Sequence, residues 1–261
     1  MTQQTTAIVR IQRYNPDEDR KPYWQDYEVP MTAETTILDA IETIKAELDG
    51  TLTFRRSCRH AICGSCAANV NGRNVLLCHS PLSEHLDRRG VCHIRPLPAL
   101  PVIKDLVVDR TRFWEQYLRV KPWLLGPDVV PDKEFRISPE EVAALKDAEK
   151  CIMCGACFSA CPVTAMRPDY IGPHALQKAL MRVLDPRDTA PAERLDIVAN
   201  LDGIYTYHGV GNCIEDCPKG LNPVEAIKTL ATLYARREEL QAQRTQSHET
   251  LIPRELPAAA D

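Results

Sequence analysis

Four closely spaced cysteines followed by a proline constrain this chain more than any other stretch. Residues 151–162 read CIMCGACFSACP, a C-x2-C-x2-C-x3-C-P run. In bacterial-type iron–sulfur proteins three thiolates of such a run bind one [4Fe–4S] cluster, and the fourth binds a different cluster. A distant cysteine then completes the first cluster, and Cys217, preceded by Cys213, is available for this role. The run predicts two cluster sites in the second half of the chain.

A second group of cysteines lies in the first half of the chain. Cys58, Cys63, Cys66 and Cys78 follow a C-x4-C-x2-C-x11-C pattern. The first three have the spacing of plant-type [2Fe–2S] ferredoxins. Gly64 and its small neighbours allow backbone N–H groups to approach the sulfurs closely. We therefore expect a [2Fe–2S] site in this loop.

Three arginines flank this loop, at positions 55, 56 and 59. A cluster bound by four thiolates is negative and becomes more negative on reduction, so nearby cations favour its reduced form. The alternative is that these arginines only form a solvated surface.

Other uses of cysteine fit the pattern less well. The chain has 261 residues and 11 cysteines, whereas disulfide frameworks are typical of small secreted domains. The N-terminus shows no basic and apolar stretch typical of a signal peptide. A zinc site with four thiolates is an alternative, although zinc ribbons use paired C-x2-C units. Cys92 lies in an apolar strand pattern and is expected to be a buried free thiol.

The first hundred residues predict a small β-grasp domain around the first cysteine loop. Alternation of apolar and polar residues indicates strands, and an Asn-Gly pair indicates a tight hairpin turn. The predicted elements are strands at 7–14, 23–29 and 91–95, a helix at 36–49 with Leu48 on its apolar face, and a hairpin turning at Asn71-Gly72.

Beyond the first domain the pattern is helical. Three prolines within residues 96–101 predict an extended linker. Ser-Pro-Glu-Glu at 138–141 is a capping box with proline at the first helical position. The expected helices cover 109–118, a segment opening at Ser138, 173–184, 190–201, and a long last helix from Asn222 to about residue 243.

Composition excludes several function classes. The net charge of −4 provides no basic field, so we expect no nucleic-acid partner. No apolar run reaches the length of a transmembrane helix, so membrane contact is expected only through partner chains. We find no glycine-rich dinucleotide fingerprint and no catalytic residues. His60, His85 and His174 are scattered and are expected at the surface or in helix caps.

The two cysteine groups together resemble the iron–sulfur subunit of succinate dehydrogenase and fumarate reductase, over about residues 7–240. The resemblance implies an α+β chain with a β-grasp plant-type [2Fe–2S] ferredoxin domain at 1–105, a helical [4Fe–4S]/[3Fe–4S] ferredoxin domain at 106–245 and a polar tail at 246–261. The stretches that carry it are TFRRSC at 53–58, CGSC at 63–66, PVIKDLV at 101–107, the run at 151–162, IGP at 171–173 and CPKGLNP at 217–223.

The resemblance also implies a set of ligands. Cys58, Cys63, Cys66 and Cys78 would bind [2Fe–2S], and Cys151, Cys154, Cys157 and Cys217 would bind [4Fe–4S]. Cys161 and Cys213 would bind a third cluster, usually [3Fe–4S].

One ligand of the third cluster departs from the family pattern. The family has a cysteine six residues before the position of Cys213, and this chain has Tyr207 there, followed by His208. A phenol with a usual pKa near 10 is a hard donor for a soft cluster. Imidazole replaces thiolate on iron in Rieske centres, so we expect His208 before Tyr207 as the third ligand. The alternative is an absent or altered third cluster.

The function implied by the resemblance is electron transfer. A separate flavoprotein subunit would interconvert succinate and fumarate on FAD. Single electrons would then pass through the clusters to quinone, at the interface with membrane-anchor subunits on the cytoplasmic face of the inner membrane. VTAM at 163–166 replaces an aromatic pair that includes a tryptophan in succinate dehydrogenases, which favours menaquinone. Alternatively, these residues only pack against a partner.

Two other functions remain open at this point. One is an electron-transfer subunit of a soluble reductase of the thiol:fumarate or heterodisulfide type. The other is a zinc-stapled interaction module without redox chemistry.

Overall fold

The structure is a computed structural model that describes residues 5–127, 134–207 and 209–251, the last three without their side chains. The chain forms two compact units. The first comprises residues 1–114, 152–168 and 210–222, and the second comprises 115–151, 169–209 and 223–261. Three segments of the predicted helical domain, at 106–114, 152–168 and 210–222, thus group with the sheet, and they include most of the cysteine run. The domain boundaries at 1–105, 106–245 and 246–261 are drawn from sequence patterns and stay a prediction.

The first unit is built on a five-stranded mixed sheet. The strands are β1 (Thr5–Arg13), β2 (Tyr23–Met31), β3 (Ala67–Val70), β4 (Arg73–Leu76) and β5 (Val91–Arg95). Their order in the sheet is β2-β1-β5-β3-β4, with β1 and β5 parallel and the other neighbours antiparallel. The predicted strands and the hairpin at Asn71-Gly72 are all present.

The predicted helix at 36–49 is present with one correction. Thr36 and Asp39 form a capping box at the start of α1 (Ile37–Thr43). Residues Ile44–Leu48 then form a π-helix, whose wider turn shifts the following side chains around the axis. The expectation that Leu48 lies on the buried face is therefore wrong, because Leu48 is 54% exposed.

The proline-rich linker leads into a small hairpin that the sequence did not predict. Its strands are β6 (Val102–Lys104) and β7 (Val107–Val108). The core of the first unit continues from the sheet through this region to Phe113, Cys154 and Phe158. The cysteine run is therefore packed into the same core as the strands.

The remaining regular structure is helical, so the α+β prediction is confirmed. The helix at Pro173–Leu184 agrees with its predicted bounds and the helix at Pro139–Glu149 with its predicted start, whereas the helix at Pro191–Val198 is shorter than expected. The last helix ends at Tyr234 and a new helix begins at Arg237. The helices are α2 (Thr111–Arg119), α3 (Pro139–Glu149), α4 (Ala156–Ala160), α5 (Pro162–Met166), α6 (Pro173–Leu184), α7 (Pro191–Val198), α8 (Asn212–Glu215), α9 (Pro223–Tyr234) and α10 (Arg237–Leu251).

A local contact explains the early end of α7, and a second correction concerns His174. α7 stops at Val198 because the chain turns back so tightly that a Cβ at Gly203 would lie 1.9 Å from the Val198 carbonyl oxygen. His174, expected at the surface or in a cap, is only 1% exposed in the first turn of α6. No helix in the described ranges is long and apolar enough to span a membrane.

Candidate iron–sulfur cluster sites

The first cysteine loop has an unusual backbone. Arg59, Ala61 and Gly64 have φ angles of 63°, 59° and 68°. For residues other than glycine this left-handed conformation costs about 1–2 kcal/mol each. Such strain persists where surrounding structure fixes it, and it clusters at functional sites. In this loop it lets several backbone N–H groups approach the cysteine sulfurs.

Backbone donors surround three of the four thiols. The Cys58 sulfur accepts N–H groups from His60, Ile62 and Cys63 at N···S distances of 3.5, 3.3 and 3.2 Å. Cys63 Sγ accepts from the Cys58 N–H at 3.5 Å, and Cys78 Sγ accepts from the Ala61 N–H at 3.4 Å. Hydrogen bonds of this kind stabilise negative charge on sulfur.

Backbone hydrogen bonds and burial shift the pKa values of two of these thiols in opposite directions. Backbone hydrogen bonds from His60, Cys63 and Ile62 lower the pKa of Cys58 to about 6. Burial raises the pKa of Cys66 to about 12. A thiolate at Cys66 therefore needs a nearby positive charge, which bound iron supplies. None of the 11 cysteines is paired in a disulfide, so the loop fits an iron–sulfur cluster. Cys92 is a buried free thiol, as expected.

Carboxylates neutralise two of the three arginines that flank this loop. Arg56 pairs with Glu42 at 2.7 Å, and Arg59 pairs with Glu42 at 2.6 Å and Asp39 at 3.2 Å. Arg55 instead donates to the Val108 carbonyl oxygen at 2.8 Å. Arg55 is therefore the flanking cation whose charge is not compensated by an ion pair in the described part of the chain.

The second cysteine run changes direction around Cys154. Met153 and Gly155 have left-handed φ angles of 54° and 88°. α4 then carries Cys157, and Cys161 precedes the proline that opens α5. Phe158 of α4 packs edge-on against Phe113, with ring centroids 5.5 Å apart. The run thus consists of a left-handed turn and two short helices, with Cys154 in the turn, Cys157 in α4 and Cys161 between α4 and α5.

Cys213 and Cys217 lie beside this run. Asn212, at the start of α8, donates to the Ala160 carbonyl oxygen at 3.3 Å. Burial, together with the neighbouring thiols of Cys161 and then Cys217, raises the pKa of Cys213 to about 11. Cys217 Sγ accepts the Leu221 N–H at 3.3 Å. The first unit therefore brings Cys161, Cys213 and Cys217 into electrostatic contact.

The two cysteine loops approach each other closely at one point. A Cβ placed on Gly64 would lie 2.7 Å from both the Cα and the Cβ of Cys154. Cβ atoms essentially never approach other atoms so closely, so the spacing of these loops requires a residue without a side chain at position 64.

Three of the expected site residues do not lie among the described residues of the first unit. Cys151 and Tyr207 belong to the second unit, and both are half-buried. His208 lies outside the described residues. Within the described ranges, no three His, Cys, Asp or Glu side chains are placed to hold a single metal ion.

Sequence reasoning missed three residues that support the cysteine run. Arg110 donates to the Cys154 carbonyl oxygen at 2.7 Å, and Asn74 donates to the Ala156 carbonyl oxygen at 3.0 Å. Asp216 accepts from Arg73 Nε at 2.7 Å. No local pattern identifies these residues, because each contact joins segments far apart in the chain.

Comparison with protein families agrees with this division of the cysteines. A family model described as a 2Fe-2S iron-sulfur cluster binding domain matches residues 8–115. A model described as a 4Fe-4S dicluster domain matches residues 143–218. Each match contains one of the two cysteine groups.

Whole-length relatives are also found. The chain is 43% identical over 223 residues to the fumarate reductase iron-sulfur subunit of Mycobacterium tuberculosis, covering 85% of this chain and 90% of that protein. It is 43% identical over 229 residues to the succinate dehydrogenase iron-sulfur subunit of Paracoccus denitrificans, covering 87% of each. A chain of the Mycobacterium smegmatis Sdh1 complex in the apo form superposes with a TM-score of 0.81 at 25% identity, covering 92% of this chain and 98% of that one.

Proposed function

The chain belongs to the family of iron–sulfur subunits of succinate dehydrogenase and fumarate reductase, and from this premise we propose that it is the electron-transfer subunit of a succinate:quinone oxidoreductase complex. The observation that carries the proposal is the contact between Gly64 and Cys154 within the first unit. An electron carrier needs its redox groups close together, and this contact brings the backbone of one thiol loop against that of the other.

The proposed ligands lie within the two family-model matches. Iron–sulfur clusters accept and release single electrons when bound. The proposed assignment is Cys58, Cys63, Cys66 and Cys78 for [2Fe–2S], Cys151, Cys154, Cys157 and Cys217 for [4Fe–4S], and Cys161 and Cys213 for part of a third cluster.

The chain itself supplies binding and orientation. The N–H groups of His60, Ile62 and Cys63 hold the Cys58 sulfur as an anion. The left-handed turn at Gly155 starts the helix that carries Cys157. Asn74 fixes the same turn through the Ala156 carbonyl oxygen. These contacts fix the thiol positions before any cofactor is present, which limits the rearrangement needed on binding.

The third cluster is proposed to be [3Fe–4S] with a ligand other than cysteine. Tyr207 stands where the family has a cysteine. We propose His208 as the third ligand, because imidazole is an established replacement for thiolate on iron. EPR of the oxidised protein with and without His208→Ala tests this ligand. Loss of the three-iron signal in the variant is expected, and an unchanged signal would remove His208.

The proposed partner subunits would hold the groups that donate electrons to this chain and accept electrons from it. A flavoprotein subunit would hold FAD and the dicarboxylate, and membrane-anchor subunits would hold the complex at the cytoplasmic face of the inner membrane. Quinone would bind at the subunit interface next to residues 163–166. Met166 in this stretch is 73% exposed and available to a partner. The absence of a tryptophan here supports menaquinone as the quinone.

The test uses the intact complex and two cysteine variants. Cys154→Ala is expected to abolish succinate:menaquinone reductase activity and to remove the [4Fe–4S] EPR signal. Cys92→Ala is the control, since Cys92 is equally buried but lies in β5, outside both proposed ligand sets. Equal activity in the two variants would contradict the proposal. Cluster signals in a complex without anchor or quinone activity would instead favour a soluble reductase, and zinc without sulfide would favour an interaction module.

A further inference from the structure

Arg110 precedes α2 and lies directly against the second cysteine run. Its Nη2 donates to the Cys154 carbonyl oxygen at 2.7 Å. Its guanidinium carbon lies 5.9 Å from the centre of the Phe113 ring. The same carbon would be 3.9 Å from a Cβ on Gly155. The guanidinium is therefore fixed beside residues 154–155 by a hydrogen bond and by packing.

The same arginine also adjoins the first cysteine loop. Arg110, Arg55, Ser65 and Cys66 line one small cavity in the first unit. Arg110 therefore lies beside residues proposed to bind two different clusters. Nothing in the sequence indicates this position, because 44 residues separate Arg110 from Cys154.

In the part of the chain that the structure describes, no carboxylate forms an ion pair with Arg110. No ion pair among the described residues includes Arg110 or Arg55, whereas Arg56 and Arg59 both have carboxylate partners. Burial and then the nearby Arg55 lower the pKa of Arg110, and the Cys154 thiol opposes this shift. Arginine nevertheless stays protonated in proteins. Arg110 is half-buried, and removing part of a cation from water without a counter-ion is costly, so a nearby negative group would stabilise it.

One polar atom of Arg110 supports the same requirement. Its Nε–H is buried and has no hydrogen-bond partner among the described residues. A buried donor without an acceptor costs roughly 1–3 kcal/mol. Anionic sulfur is both an acceptor and a counter-charge, and the two adjacent cysteine groups are where such sulfur is expected. The residues present therefore fit negative clusters on both sides of the guanidinium.

From this arrangement we infer that Arg110 is an electrostatic tuning residue, whose fixed positive charge makes the [4Fe–4S] cluster beside Cys154 easier to reduce and acts less strongly on the [2Fe–2S] cluster beside Cys66. Reduction adds one electron and lowers the cluster charge by one, with no proton required, so a nearby cation stabilises the product more than the reactant. The inference rests on the ligand assignment proposed above.

Potentiometric EPR of the intact complex tests the inference. In Arg110→Gln the ratio of reduced to oxidised [4Fe–4S] at a fixed potential is expected to fall at least tenfold, which is 59 mV for a one-electron couple. The [2Fe–2S] ratio is expected to fall by a smaller factor. Arg110→Lys keeps the charge and is expected to retain most of the wild-type ratio. Should Arg110→Gln fail to bind clusters, Arg110→Met is measured in its place, because methionine retains an apolar stem against Phe113.

Arg59→Gln is the matched control. Arg59 adjoins Cys58 in sequence, but its side chain is half-exposed and paired with two carboxylates, so a less than threefold change is expected at either cluster. Unchanged potentials in Arg110→Gln, or equal losses in the Gln and Lys variants, would overturn the inference. Absence of iron and sulfide from the wild-type complex would instead overturn the proposed function.

Discussion

Asp216 accepts a hydrogen bond from Arg73 Nε at 2.7 Å, across 143 residues of sequence. Its second carboxylate oxygen accepts the Asn74 backbone N–H at 3.1 Å. Asp216 lies between Cys213 and Cys217, and Arg73 begins β4. The carboxylate therefore anchors the segment carrying the last two cysteines to the edge strand of the sheet.

Removal of this anchor is expected to destabilise the first unit. Asp216→Ala would leave the buried Asn74 N–H without an acceptor and Arg73 without its close partner, at a cost of about 2 kcal/mol. Glu215→Ala is the control, because Glu215 is 66% exposed and lies 3.5 Å from the same arginine. Its expected cost is below about 0.5 kcal/mol. Thermal unfolding of the purified complex compares the two variants, and similar midpoints would contradict the proposed anchor.

Gly64 is expected to be intolerant of any side chain. Gly64→Ala combines a left-handed backbone with a collision against Cys154, so we expect a loss of about 3 kcal/mol or more. Gly72→Ala is the matched control, since Gly72 has a φ of 91° and no atom within 4 Å of the added Cβ. It is expected to cost only about 1–2 kcal/mol. Thermal unfolding and visible cluster absorbance are the measurements, and equal effects would show that the Cys154 contact is not limiting.

Lowering the pH is expected to destabilise the first unit through protonation of Asp49. Burial opposes ionisation of this carboxyl, but hydrogen bonds from Thr51, Tyr27 and Arg13 outweigh it and lower the pKa of Asp49 below its usual range. A lowered folded-state pKa stabilises the protein above the unfolded value of about 3.9, and this contribution is lost as the pH falls below that value.

Unfolding midpoints between about pH 6 and pH 3 test this dependence. Asp49→Asn is expected to be less stable than wild type at pH 6 and to lose less stability as the pH falls. Asp17→Asn, at an exposed position in the β1–β2 turn, is expected to follow the wild-type curve. A wild-type slope in Asp49→Asn would exclude this carboxyl as the source.

The sequence was most informative where the signal is local. Alternating residues identified the strands, Asn71-Gly72 identified the hairpin, and Ser138 with Glu141 identified the start of α3. The cysteine spacings predicted the two groups of thiols, each of which lies within one of the two family-model matches. These signals depend on neighbouring residues, which a single sequence displays directly.

Features that depend on distant contacts could not be predicted in the same way. Leu48 becomes exposed through a π-helix that the apolar pattern does not encode. The break between Tyr234 and Arg237 contains neither glycine nor proline. Arg110 and Asp216 support the cysteine run from far along the chain. Their side-chain types are common on protein surfaces, so only the folded structure distinguishes them.

Low-temperature EPR of the intact complex after addition of succinate tests electron transfer by this chain most directly. We expect a reduced [2Fe–2S] signal from this chain, together with at least about six irons and six acid-labile sulfides per chain from the two main clusters. The opposite result would be zinc in place of iron and sulfide, with no iron–sulfur signal even after reduction by dithionite. That outcome would contradict electron transfer as the function of this chain.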